Sequence, residues 1–157
     1  MKAHYPVSRR ASDHLLLGFS KSGIGAFSLL LRNPTEIGLA AAWDAPFMNR
    51  SHTAFGADAV YGTEENFRRH TVPELLERRA IDLQAGPARL VLRGYGMNHD
   101  STAALHEHME RLRIPHVYRN TEQAEHHWHS GWVTPTLQDL LALHAGKTLE
   151  RIGEAIC

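Results

Sequence analysis

The 157 residues carry 17 basic and 17 acidic side chains, a balance that leaves no electrostatic footprint for nucleic acid or for an anionic membrane surface. No stretch approaches the ~18 apolar residues of a membrane span, and the basic segment from Met1 to Arg10 has no apolar run behind it. The one cysteine, Cys157, is the last residue and excludes an internal disulfide. Together these predict a single domain over residues 1–157, a cytoplasmic location and a small-molecule partner, with no nucleic acid and no membrane.

Residues 1–12 are polar, contain Pro6 and Arg9-Arg10, and read as a lead-in. Asp13 opens a first strand, and the apolar run His14 to Leu17 is too short for a helix but suits a strand covered on both faces. There follows Gly18-Phe19-Ser20-Lys21-Ser22-Gly23. From Ile24 to Leu31 the pattern is helical, with Ile24, Phe27, Leu30 and Leu31 on one stripe and Asn33-Pro34 as its stop.

A serine entered from a strand and left into a helix, with small residues around it, is how a chain builds a sharp, strained turn. Unfavourable backbone angles at the serine bring its neighbours so close that a Cβ two positions away would collide. The hydroxyl then stands clear of the backbone as a candidate nucleophile, although a serine at such a place also serves as an ordinary helix cap.

Ile37 to Trp43 is a compact run of small apolar residues and reads as a second buried strand, with Asp44 just past its end, where functional loops of a parallel sheet gather. Between Ala45 and Arg79 the pattern weakens into loops and short helical pieces, around Glu64 to His70 and Pro73 to Arg79. Phe47, Met48, Phe55 and Tyr61 are expected to cover the top of the core, and the arginine pairs at 68–69 and 78–79 to be solvated.

Arg89 to Gly94 is a third strand. Leu105, Met109 and Leu112 mark one face of the helix after it, and Ile114-Pro115 ends that helix. His116 to Arg119 is a short fourth strand, residues 121–131 a loop, and Thr134-Pro135 the start of a helix whose stripe is Leu137, Leu140, Leu141 and His144. Residues 146–157 form a tail. Four alternations of strand and helix predict an α/β fold: a parallel sheet with flanking helices and right-handed crossovers.

The turn at residues 18–23, followed by Gly25-Ala26, and the late His126-His127-Trp128 resemble the α/β-hydrolase superfamily in its serine esterase and acyl-hydrolase branch, over roughly residues 12–145. Only the second half of that fold is covered, so its N-terminal strands are expected to be lacking. The resemblance implies an esterase acting on a carboxylic ester or related acyl compound through an acyl-enzyme, with Ser20 as nucleophile, a histidine as base and a carboxylate orienting it, in the chain order Ser, acid, His.

Histidine followed two residues later by tryptophan favours His126, with His127 and His129 as alternatives. For the acid, Asp100 suits the chain order but also precedes Ser101 and a helix that it could simply cap. Asp44 is the other candidate. The backbone N–H of Lys21, the residue after the nucleophile, would be one oxyanion donor. Only 19 residues precede Ser20, too few for the strand, loop and return crossover that would bring a second.

The chain is therefore expected to be the C-terminal half of a larger hydrolase. Its first strand would then lie at an exposed edge through which it could self-associate. A non-catalytic descendant that keeps the turn is the second reading. A metal site at His126, His127 and His129 is the third, without support from a CxxC or HExxH pattern; no cofactor is expected.

Overall fold

The computed structural model describes residues 7–147 and Leu149, and of Phe55 only the backbone. The segment 1–6 and nearly all of the predicted tail lie outside the described residues. Four strands, β1 (Leu15–Phe19), β2 (Leu39–Trp43), β3 (Leu90–Arg93) and β4 (Val117–Arg119), form one sheet in the order β1-β2-β3-β4, every pair parallel. The helices are α1 (Lys21–Arg32), α2 (Ala57–Tyr61), α3 (Glu64–Arg69), α4 (Val72–Gln84), α5 (His99–Arg111) and α6 (Val133–His144).

The period-2 alternation of the strands decides which helices go where. Ala40, Ala42, Leu90, Leu92 and Tyr118 point to one face and pack with Phe27, Leu30 and Leu31 of α1, Leu75 and Leu76 of α4, and Leu105 and Met109 of α5. Leu39, Ala41, Val91 and Val117 point to the other face, where Leu140 of α6 meets them. The small side chains of β2 matter here, because α1 crosses it closely: a Cβ on Gly23 would lie 3.0 Å from that of Ala42 and 2.9 Å from that of Ala45.

Several expectations change in detail. Asp13 does not open β1; residues Ala11–Asp13 form a 3₁₀ turn in which Asp13 accepts from Ser8 and Arg10, and the strand begins at Leu15. Phe47 and Met48 do pack on the core, Tyr61 instead meets Phe67 edge-on and His70 at a tilt, and the Phe55 side chain lies outside the described residues. Arg68, Arg69 and Arg78 are solvated and paired with glutamates one turn away, while Arg79 donates to the Leu31 carbonyl.

The stripe of α6 is the clearest correction. Leu137 and Leu141 are exposed, and the buried face is Thr136, Asp139 and Leu140. The reason is polar: at the sheet surface α6 meets Arg93 and Arg119, and Asp139 accepts from both at 3.3 Å. A buried carboxylate with two guanidinium partners outweighs the leucine periodicity, because an unpaired buried charge costs several kcal/mol.

β1 is a terminal strand of the described sheet, so its outer edge carries backbone groups without a neighbouring strand in that sheet.

Candidate active site

Three parallel strands end at one level. The ladder pairs Phe19 with Trp43 and Trp43 with Arg93, and it continues one residue further through Ser20 N–H to the Trp43 carbonyl at 3.0 Å and Asp44 N–H to the Arg93 carbonyl at 2.9 Å. Ser20 and Asp44 are thus side by side at the C-terminal ends of adjacent strands. Both have positive φ, 54° and 46°, which among the described non-glycine residues is shared only with Arg113. Such angles are strained for L-residues and persist only where the surroundings impose them.

At Ser20 the imposition is visible. Its φ of 54° and ψ of −126° turn the chain from β1 directly into α1. Ser22 Oγ donates to the Phe19 carbonyl at 2.8 Å and accepts the Phe19 N–H at 2.9 Å, which closes the turn. A Cβ on Gly18 would run into the Ser22 carbonyl and come within 2.6 Å of the Gly23 Cα, so glycine at 18 is a steric requirement. The Ser20 side chain makes no capping bond to α1, which removes the ordinary reason for a serine here. Lys21 is the first residue of α1, so its N–H lies where the helix dipole favours negative charge.

Asp44 is fully buried and His126 partly so. His126 Nδ1 lies 2.5 Å from Asp44 Oδ2. Facing a carboxylate, Nδ1 carries the proton, which leaves the lone pair on Nε2. The backbone N–H of Asn98 donates to Asp44 Oδ1 at 2.7 Å, and the Asn98 side-chain amide donates to the Asp44 carbonyl at 2.9 Å. The imidazole is walled by aromatic rings: Phe19 at 4.5 Å and Trp43 at 6.2 Å between centroids, with Trp128 and Trp132 packed behind Phe19. Phe19 immediately precedes Ser20, so this contact sets His126 at the rim of the turn.

Asp100 stands elsewhere. It lies in the first turn of α5, where Asn98 is the N-cap residue, and its fully exposed side chain touches only His99 at 3.3 Å. It neither orients His126 nor caps the helix. His127 and His129 are exposed, their rings 5.2 Å apart and turned to each other, and they do not join His126 in a cluster of ligand atoms.

A cavity of about 580 Å³ opens beside His126, lined by residues 95–97 and 123–126. A larger one, about 650 Å³, lies around Gly38, Arg89 and Val117 at the opposite end of the strands, away from Ser20. No helix among the described residues is long and apolar enough to cross a membrane.

Comparison with solved structures gives this arrangement its context. The chain is similar to an S-formylglutathione hydrolase (FrmB) of Staphylococcus aureus, with TM-score 0.65, 14% identity, and coverage of 91% of this chain and 55% of that one. It is likewise similar to a ferulic acid esterase, with TM-score 0.69, 18% identity and coverage of 92% and 55%. A third is FphF, a fluorophosphonate-binding serine hydrolase of S. aureus, with TM-score 0.67, 18% identity and coverage of 91% and 58%. The chain shares part of its fold, a parallel sheet with flanking helices, with these three structures. It spans little more than half the length of these structures. No family model matches the sequence, and no curated protein does.

Three residues around the Asp44–His126 pair escape sequence reasoning: Asn98, Gly96 and Arg93. A Cβ on Gly96 would sit 2.5 Å from Asp44 Oδ2, so the loop after β3 can close over the carboxylate only with glycine there. Buried Arg93 donates to Glu122 at 2.6 Å and to Asp139 at 3.3 Å, tying the start of the histidine loop to α6. The two glycines of Gly94-Tyr95-Gly96, directly after a strand, are the signal that could have marked this loop as one in close contact with something.

Proposed function

We propose that the chain is the catalytic-triad half of a serine hydrolase that cleaves a small carboxylic ester or related acyl compound, with Ser20 as nucleophile, His126 as general base and Asp44 as the acid that orients it. The observation that carries this reading is the pairing of His126 with the buried Asp44 at 2.5 Å, one strand away from a serine held at φ 54°.

In this reading Nε2 of His126 takes the proton from Ser20 Oγ as the oxygen attacks the acyl carbonyl, and the imidazolium formed is stabilised by the Asp44 carboxylate. The Lys21 N–H supports the oxyanion, a contribution of roughly 3 kcal/mol for one such donor. The imidazolium returns its proton to the departing alcohol, and water repeats the sequence on the acyl-enzyme. Phe19 and Trp128 offer an apolar wall for the acyl or leaving group. A cytoplasmic setting suits the chain's single cysteine.

The experiment is labelling with a fluorophosphonate probe followed by peptide mapping. Modification of Ser20 in the parent chain and none in Ser20→Ala supports the reading; a folded parent that takes up no probe overturns it. The second outcome would favour a non-catalytic module, a reading prompted by the chain's span of about 55% of its structural neighbours. Where the protein works with further strands, the outer edge of β1 is the surface they would extend, whether from another segment or a second copy.

A further inference from the structure

We propose that His106, Glu110 and His116 form a binding site for a zinc-type divalent cation, at the end of the sheet remote from Ser20. His106 and Glu110 stand one turn apart on α5 and so share a face; His116 lies just before β4. One ligand atom from each falls within 4.8 Å of the others, the one such grouping among the described residues.

The buried member is prepared for a metal. His116, its side chain 1% exposed, directs Nδ1 at the Ile114 carbonyl at 2.7 Å. That bond requires the proton on Nδ1, so Nε2 carries a lone pair. A ligating histidine is ordinarily held this way, its other nitrogen donating to a backbone carbonyl. Nε2 accepts from His106 Nδ1 at 2.8 Å, a proton that His106 would give up to the metal, and faces Glu110 Oε1 at 3.9 Å. Ligands about 2.05 Å from a tetrahedral zinc lie about 3.4 Å from one another. The histidine pair would open and the His116–Glu110 pair would close, each by roughly half an ångström.

The His106 ring is stacked on Tyr118, centroids 4.0 Å apart and planes within 15°, which fixes its orientation. Two imidazoles and one carboxylate are a normal three-ligand set for zinc and leave a fourth position for water. The ion would fasten α5 to β4 across the turn that contains Arg113, held at φ 54°.

The test uses the 157-residue chain, stripped with chelator, reloaded with zinc chloride, desalted and analysed for bound metal. One equivalent is expected in the parent and in His127→Ala/His129→Ala. His106→Gln and Glu110→Gln, at partly exposed positions, are expected to weaken zinc affinity at least tenfold and to abolish the zinc-dependent rise in melting temperature, with the melt of the zinc-free variants as the folding control. Absence of retained zinc in the parent, retention unchanged in both variants, or retention lost in the 127/129 control would overturn the site.

Discussion

Replacing Asp44 by Asn tests the triad through a tautomer. The Asn98 N–H donates to Oδ1 of residue 44 at 2.7 Å, so in Asp44→Asn the amide oxygen is held at that position and the NH₂ group is placed where Oδ2 now meets His126 Nδ1 at 2.5 Å. Facing a donor, Nδ1 must give up its proton and Nε2 must take it. The imidazole can then no longer accept from Ser20. A wrong tautomer with geometry intact lowers turnover on the order of 10⁴-fold, which is about 5.4 kcal/mol of barrier at ~1.36 kcal/mol per factor of ten. The assay is the second-order rate of fluorophosphonate labelling at Ser20, with ester turnover where the preparation has it and a thermal melt as the folding control. Asp100→Asn, at a solvent-exposed position, should stay within twofold of the parent. An Asp44→Asn rate within threefold of the parent, or an Asp100→Asn rate that falls as far, would refute the reasoning.

Glycine replacements in and beside the turn should act with opposite signs. Gly18→Ala drives a Cβ into the Ser22 carbonyl and should destabilise by about 1–3 kcal/mol, whereas Gly25→Ala, open to space within α1, should stabilise by about 0.5–1 kcal/mol; urea melts distinguish them. Gly96→Ala puts a Cβ 2.5 Å from Asp44 Oδ2, and the displaced carboxylate should lower the labelling rate by about 10²-fold, measured beside a melt that shows the fold retained. Burial pushes the Tyr118 hydroxyl above its ordinary value of 10.0. The phenol therefore loses its proton more readily in the unfolded chain, and its contribution to stability is full below pH 10 and lost as pH rises through the folded value. Tyr118→Phe should flatten the alkaline decline in stability, seen in melts between pH 8 and pH 11.

The parallel sheet and the serine turn were legible because each rests on local chemistry. β1 and β2 are short apolar runs, and the turn needs small residues at 18 and 23, a requirement written into consecutive positions. Which carboxylate pairs with His126 was not legible in the same way. Asp44 and Asp100 both follow strands, and what separates them is a tertiary fact: β1 and β2 are adjacent, so the residue after β2 lies beside the serine, while residue 100 has already entered α5. The stripe of α6 failed for a related reason. Leu137 and Leu141 satisfy helical periodicity, yet Arg93 and Arg119 on distant strands call Asp139 to the buried face. The cluster at 106, 110 and 116 was hidden because its third member joins the helix only across a turn.

The sheet register explains why Ser20 and Asp44 stand side by side at the ends of β1 and β2. Neighbouring strands are about 4.8 Å apart, and the ladder holds Ser20 and Asp44 to the Trp43 and Arg93 carbonyls at 3.0 and 2.9 Å, so their spacing is set by backbone bonds and not by loops. The imidazole comes from a loop, and it is held by Asp44 at Nδ1, by ring contacts to Phe19 and Trp43, and by the Arg93–Glu122 bond at the loop's start. A one-residue slip of β2 against β1 would turn the carboxylate to the opposite face of the sheet. The packing of Ala40 and Ala42 against α1 opposes that slip, because the slipped strand would turn the bulky Leu39 and Trp43 to the face that α1 covers. Core packing and site geometry are therefore the same constraint, and a variant that loosens the α1–β2 contact should lose the Asp44–His126 pair with it.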